Sequence, residues 1–273
     1  MTLALAVLAG ASIGLSLGAL GGGGSILAVP VLVYLLDQSP AQATTGSLVV
    51  VGTTSLIGAV AAHRAGTVLL ARGATFGLVA TGGAVLGAKA SAHADEDVLL
   101  AAFAVLMLLV GALMAWRLLP RDVDGPAHAA RPTLDDAILT FSPTFACACP
   151  RALKVLVTAT LVGLLTGFLG VGGGFLVVPA LLVALALPVR YAAGTSLVVI
   201  TITSAAALAT RAGVGSAPDW GVVLVLTLAS AMAAVGGARL AHRVDTRHLT
   251  AAFTVLVLAV AGYTAARALP ALL

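Results

Sequence analysis

Apolar runs recur along this 273-residue chain from one end to the other. Many are long enough to cross a hydrocarbon core about 30 Å thick. Ten can be drawn: 2–20, 25–36, 42–62, 74–92 and 98–118, then 155–169, 175–187, 191–210, 222–240 and 249–268. This pattern predicts an all-α polytopic membrane protein. Composition excludes the soluble alternative, because 60% of residues are hydrophobic and only 9% charged. Ordinary globular chains hold about 25% charged residues. The formal charge of +4 would suggest nucleic acid in a soluble protein. Here the basic residues sit mostly in loops, so membrane topology accounts for the charge and no nucleic-acid partner is expected. The expected surroundings are a lipid bilayer, the plasma (inner) membrane of a prokaryote.

The second constraint is an internal repeat. Leu20-Gly-Gly-Gly-Gly-Ser-Ile-Leu-Ala-Val-Pro-Val-Leu32 returns as Leu169-Gly-Val-Gly-Gly-Gly-Phe-Leu-Val-Val-Pro-Ala-Leu181. The register then holds across polar and glycine positions. Thr45-Gly46-Ser47-Leu48 matches Gly194-Thr195-Ser196-Leu197, and Thr54-Ser55 matches Thr203-Ser204. Arg64-Ala65-Gly66 matches Arg211-Ala212-Gly213, and Gly87-Ala88-Lys89 matches Gly237-Ala238-Arg239. Apolar composition alone would not keep that register. The expected organisation is a first membrane repeat over 1–118, a polar cytoplasmic linker over 119–154 and a second membrane repeat over 155–273.

Charge sets the relation between the halves. With five segments per half and the first residue outside, only Lys89, Arg211 and Arg267 face outward, and the other eleven of the 14 Lys and Arg face the cytoplasm. Merging each Gly-broken pair into one span worsens that asymmetry, so the positive-inside rule favours an odd count. An odd count makes the halves inverted repeats, with eight to ten segments in total according to how the breaks are counted. Segments 25–36 and 175–187 are too short to span, so each break ends either a crossing or a re-entrant hairpin. The N-terminal run lacks a basic region and continues past Gly24, which reads as a retained helix rather than a signal peptide.

The Gly-rich break followed by proline, the Gly-Thr-Ser-Leu element of the next helix, and their recurrence in both halves resemble the sulfite exporter TauE/SafE family. The resemblance covers about residues 2–268. The second copy lies closer to the family pattern; the first has Ser25 where the second has Gly174, and Thr45-Gly46 in reversed order. The resemblance implies an integral membrane transporter of small anions that contain sulfur, such as sulfite or sulfonates.

Anion recognition needs donors, and helix starts supply free N–H groups with a partial positive charge. The candidate substrate-binding residues are therefore Gly22, Gly23, Gly24 and Ser25 in the first break, and Gly172, Gly173 and Gly174 in the second. Unsatisfied backbone is costly in hydrocarbon, so such breaks must be buried or line a cavity. The competing reading is close helix packing through small residues. The next helix in each half adds hydroxyls: Ser47 in one, Thr195 and Ser196 in the other, with Thr54 and Thr203 seven residues beyond the serines, on the same face. Ser55 and Ser204 lie beside them. The competing role for these hydroxyls is bonding to their own helix. Arg64 and Arg211 form a matched pair that either draws anions to the two mouths or anchors at the headgroups.

All ten acidic residues and all five histidines fall in loops or near segment ends, so no buried proton relay is visible. Cys147 and Cys149 are too few for a closed zinc site and too close for an ordinary disulfide, which leaves a membrane thiol-handling protein as a weaker alternative. A permease for an uncharged solute, with glycines that only pack helices, is a third reading. No Walker A loop occurs, and the serines lack a mid-span histidine, so no enzyme and no cofactor are expected. The sequence leaves a homo-oligomer open.

Overall fold

The structure, a computed structural model, describes residues 2–118, 149–170, 173–185, 187–211 and 218–241, together with 255, 258, 259 and 261–263. Among these residues the regular structure is helical and no strand occurs. In chain order the helices are α1 (Thr2–Leu20), α2 (Ser25–Pro30), α3 (Pro40–Arg64), α4 (Leu70–Ser91), α5 (Glu96–Leu118), α6 (Cys149–Leu169), α7 (Gly174–Ala184), α8 (Val189–Arg211) and α9 (Trp220–Ala241). A π-helical turn, Val31–Leu35, extends α2. Among the described residues, four stretches are long and apolar enough to cross a membrane: Pro40–Arg64, Leu70–Ser91, Tyr191–Arg211 and Trp220–Ala238. Residues 149–154, drawn above as linker, instead form the start of α6. Residues 119–148 of the linker, and most of the expected segment 249–268, lie outside the described residues.

Local chemistry fixes where the helices start and stop. Ser39 caps α3 through a capping box: its Oγ accepts from Gln42 N, and Gln42 Oε1 accepts from Ser39 N at 3.2 Å. Pro40 at the first helical position removes a donor that would be unsatisfied anyway. At the other end Gly66 takes φ 69°. That left-handed turn lets Gly66 N reach His63 O and Thr67 N reach Ala62 O, closing the helix carbonyls. The Arg-Ala-Gly element of the first half is therefore a helix stop. Asp219 opens α9, accepting from Gly221 N at 2.9 Å, and the exposed Trp220 beside it suits a membrane–water boundary.

Tertiary packing runs between the halves. α1 lies along α9, and α4 lies along α6. A side chain on Gly14 would strike the Ser230 backbone, and one on Gly18 the Ala234 backbone. In the same way Gly163 and Gly167 press on Ala80 and Ala84, while Gly83 and Gly87 press on Thr160 and Leu164. Glycines four apart let the backbones approach, which matters because lipid gives two apolar helices no hydrophobic reason to associate. Ser230 Oγ adds a bond to Gly10 O at 2.9 Å. The rising residue numbers show both pairs to be parallel. The central pair is the opposite case: Gly52 meets Ser204 and Gly58 meets Leu197, so α3 and α8 run antiparallel. Large apolar side chains such as Leu78, Leu86, Leu224 and Met232 point outward, Met232 being 79% exposed. That is unfavourable in water and favourable in lipid.

Candidate functional site

Both Gly breaks lie inside the bundle. Gly21 to Ser25 are all buried, as are Gly170, Gly173 and Gly174. The first break leaves α1 at Gly21 (φ 72°), and the second leaves α6 at Gly170 (φ 65°) and enters α7 at Gly173 (φ 63°). These left-handed conformations are natural for glycine and strained for other residues. Gly172 lies outside the described residues.

The breaks touch each other. A side chain on Gly22 would run into the Gly174 backbone, and one on Gly174 would meet Gly22 and the Ser25 hydroxyl. Ser25 and Gly174 occupy equivalent places in the two copies, so the contact joins like to like. Gly21 presses against Ala193 at the start of α8, and Gly170 against Thr44 at the start of α3. Gly173 faces Thr166. The missing side chains thus accommodate neighbouring backbone and side-chain atoms, which is the packing role. The N–H groups behave differently: among the described residues, those of Gly22, Gly23 and Gly24 have no backbone carbonyl partner. They are buried donors at the start of a helix, the condition in which an acceptor is favoured.

The two serines of the repeated helix element make reciprocal bonds. Ser47 of α3 donates to Gly170 O of the second break, and Ser196 of α8 donates to Gly21 O of the first. Each lies also within hydrogen-bond distance of its own helix, at Thr44 O (2.9 Å) and Ala193 O (2.7 Å). Each half therefore holds the other's broken backbone. A hydroxyl has one proton to donate, so in this state neither serine offers a donor to a ligand.

The other expected residues divide by what they touch. Ser25 Oγ donates to Gly22 O at 2.8 Å. Thr195 Oγ1 accepts from Leu69 N at 3.1 Å and so caps α4. Thr203 bonds back to its own helix at Val199 O, 3.0 Å. Thr54 is fully buried and has no partner for its hydroxyl. Ser55 and Ser204 are in the same condition.

The matched arginines part company. Arg64 is exposed at the end of α3. Arg211 turns inward from the end of α8 and donates to Thr44 Oγ1 (2.7 Å), Ser91 Oγ (2.8 Å) and Gly167 O (2.9 Å). It also reaches Phe168 O at 3.5 Å. The guanidinium thereby covers the last carbonyls of α6, where a cation also complements the helix dipole. None of the groups it bonds is a carboxylate. The sequence match between the two arginines gave no sign of this difference. Nor did it single out Thr44, which lies between Arg211 and Gly170 and carries no signal beyond its place beside the repeated element. Of the two cysteines, Cys149 begins α6, and Cys147 lies outside the described residues.

A chain with this architecture has recognisable relatives. The family profile described as "Sulfite exporter TauE/SafE" matches residues 6–264. A "Probable membrane transporter protein" of Xylella fastidiosa strain Temecula1 is 36% identical over 192 residues, which is 70% of this chain and 67% of the relative. One of the same description from strain 9a5c is 35% identical over 192 residues, with the same coverage. "Probable membrane transporter protein YunE" of Bacillus subtilis is 28% identical over 194 residues, 68% of this chain and 69% of the relative. No solved structure matches the chain. A profile match running through both Gly breaks and nearly the whole bundle shows that the chain belongs to the sulfite exporter TauE/SafE family of membrane transporters.

Proposed function

We propose that the chain is a secondary transporter of small anions, with sulfite, sulfonates and related sulfur oxyanions as the substrate class, set in the plasma membrane with its linker in the cytoplasm. The family supports transport, and the chemistry of the breaks supports an anion. The observation that carries this reading is the meeting of the two breaks, where the buried N–H groups of Gly22, Gly23 and Gly24 have no carbonyl partner among the described residues. An oxyanion supplies the acceptors those groups lack, as broken helices do for substrates in inverted-repeat transporters. The antiparallel course of α3 and α8, which carry matching sequence, supports the inverted relation. In this arrangement the breaks close on each other, so substrate entry requires Gly22 and Gly174 to separate. Ser47 and Ser196 hold the closed form and would release their carbonyls when it opens.

The test is flux into proteoliposomes for a panel of sulfite, thiosulfate, sulfate, methanesulfonate and acetate, with and without a proton gradient. Wild-type protein is expected to move at least one sulfur oxyanion. Gly173→Leu, which forces a branched side chain onto a left-handed position against Thr166, is expected to abolish flux while the protein still inserts. Normal flux in that variant would remove the breaks from the mechanism.

A further inference from the structure

Among the described residues, buried serine and threonine hydroxyls are nearly all accounted for. Ser25, Ser47, Thr166, Ser196, Thr203 and Ser230 donate to carbonyls. Thr195 and Ser91 accept from a backbone N–H and from Arg211. Three fully buried hydroxyls stand apart: Thr54, Ser55 and Ser204 have no partner. They are not scattered. Ser204 of α8 stands against Gly52 of α3, with its Oγ about 3.8 Å from where a Gly52 side chain would begin. Ser55 is one turn further along α3 from Gly52, and Thr54 is one turn before Gly58, which meets Leu197 of α8. All three therefore sit at the antiparallel α3–α8 crossing, with both halves contributing.

The position is deep. α3 has 25 residues and α8 has 23, lengths of about 37 Å and 35 Å at 1.5 Å per residue. Residues 54, 55 and 204 fall near the middle of each. Leaving a buried hydroxyl unpaired is unfavourable, and serine or threonine in a helix ordinarily bonds the carbonyl one turn back. Thr203, the counterpart of Thr54, does so. Three exceptions at one mid-depth crossing form a set of neutral donors with nothing to donate to. No Lys or Arg is placed there, which suits a solute that must be held weakly enough to leave.

We propose that Thr54, Ser55 and Ser204 form a hydroxyl-donor site for a small oxyanion at the α3–α8 crossing, the station at which the anion is held midway across. This inference rests on the transport reading above and deepens it. It moves the donors two turns along each helix from Ser47 and Ser196, whose protons already serve the backbone of the opposite break.

The experiment uses the full-length protein in proteoliposomes with radiolabelled sulfite as probe and methanesulfonate alongside. The variants are Ser55→Ala, Ser204→Ala, their double, and Thr54→Val. Thr81→Val serves as control, because Thr81 bonds its own helix on α4. Each serine variant is expected to raise the half-saturating concentration about tenfold, the double further, and the control by less than about twofold. A second readout separates binding from structure. Without ligand, the double variant is expected to melt at or above the wild-type temperature, since alanine removes an unpaired group. Sulfite is expected to raise the melting temperature of wild type and not of the double variant. Wild-type half-saturation in the double variant, or a ligand-free melting temperature several degrees lower, overturns the site while leaving transport in place. A wild-type protein that moves neither probe, nor any other anion of the panel, overturns the transport reading itself.

Discussion

The two broken helices, α1 and α6, carry the same motif and end differently. α6 closes under a guanidinium: Arg211 covers Gly167 O and Phe168 O and ties them to Thr44 and Ser91. Arg64, the residue matched to Arg211, is instead exposed at the end of α3. The breaks also enter their short helices differently. Gly173 is left-handed (φ 63°), whereas Gly24 is right-handed (φ −67°). Beyond the proline, the first copy winds into a π turn and the second stays α-helical. What is common to both is the reciprocal serine bond and the Gly contact. The shared parts tie the halves to each other, and the differing parts give the two breaks unequal surroundings.

The largest expected effect separates the arginines. Arg211→Gln strands buried carbonyl and hydroxyl groups and should cost about 3 kcal/mol in unfolding from mixed micelles. Arg64→Gln should stay within about 0.5 kcal/mol, as exposed substitutions do. Equal losses from the two would erase the contrast. The shared part is tested next: Ser47→Ala and Ser196→Ala should each cost about 1–2 kcal/mol and agree with one another. A clear gap between them would break the reciprocity. The smallest effect sharpens the comparison at Gln38. The residue is 6% exposed, and neither its amide oxygen nor its amide nitrogen has a partner. The second copy has the buried Leu187 at the equivalent place. Gln38→Leu should therefore be neutral or stabilise the same unfolding transition by about 1 kcal/mol.

Much of the helix layout was legible because hydropathy, Pro40 and Gly66 act locally. The short lengths of α2 and α7 follow from where the glycine runs and loops interrupt the apolar pattern. The inversion is an expectation from counting charged loops, and among the described residues the antiparallel course of α3 and α8 is the only part of it that the packed helices display. The site was less legible. Ser47 and Ser196 looked like ligand donors because the sequence shows a hydroxyl and not the carbonyl it meets in the other half. Thr54 and Thr203 looked alike, and only packing decides that one bonds its own helix and the other does not. Arg64 and Arg211 were indistinguishable for the same reason: direction of a long side chain depends on what the opposite half places nearby. The start of α6 at Cys149 was missed because Arg151 and Lys154 resemble loop residues in a membrane chain.

The interleaving of the halves bears on biogenesis. The bond from Ser230 to Gly10 joins residues 220 positions apart, so α1 emerges from the ribosome long before the helix it packs against. Its glycine-lined face must wait in the bilayer, while α4 waits in the same way for α6. The halves therefore cannot mature in turn as two finished units. The described bundle needs α9 beside α1, and a chain truncated before Trp220 leaves α1 without the helix it lies along.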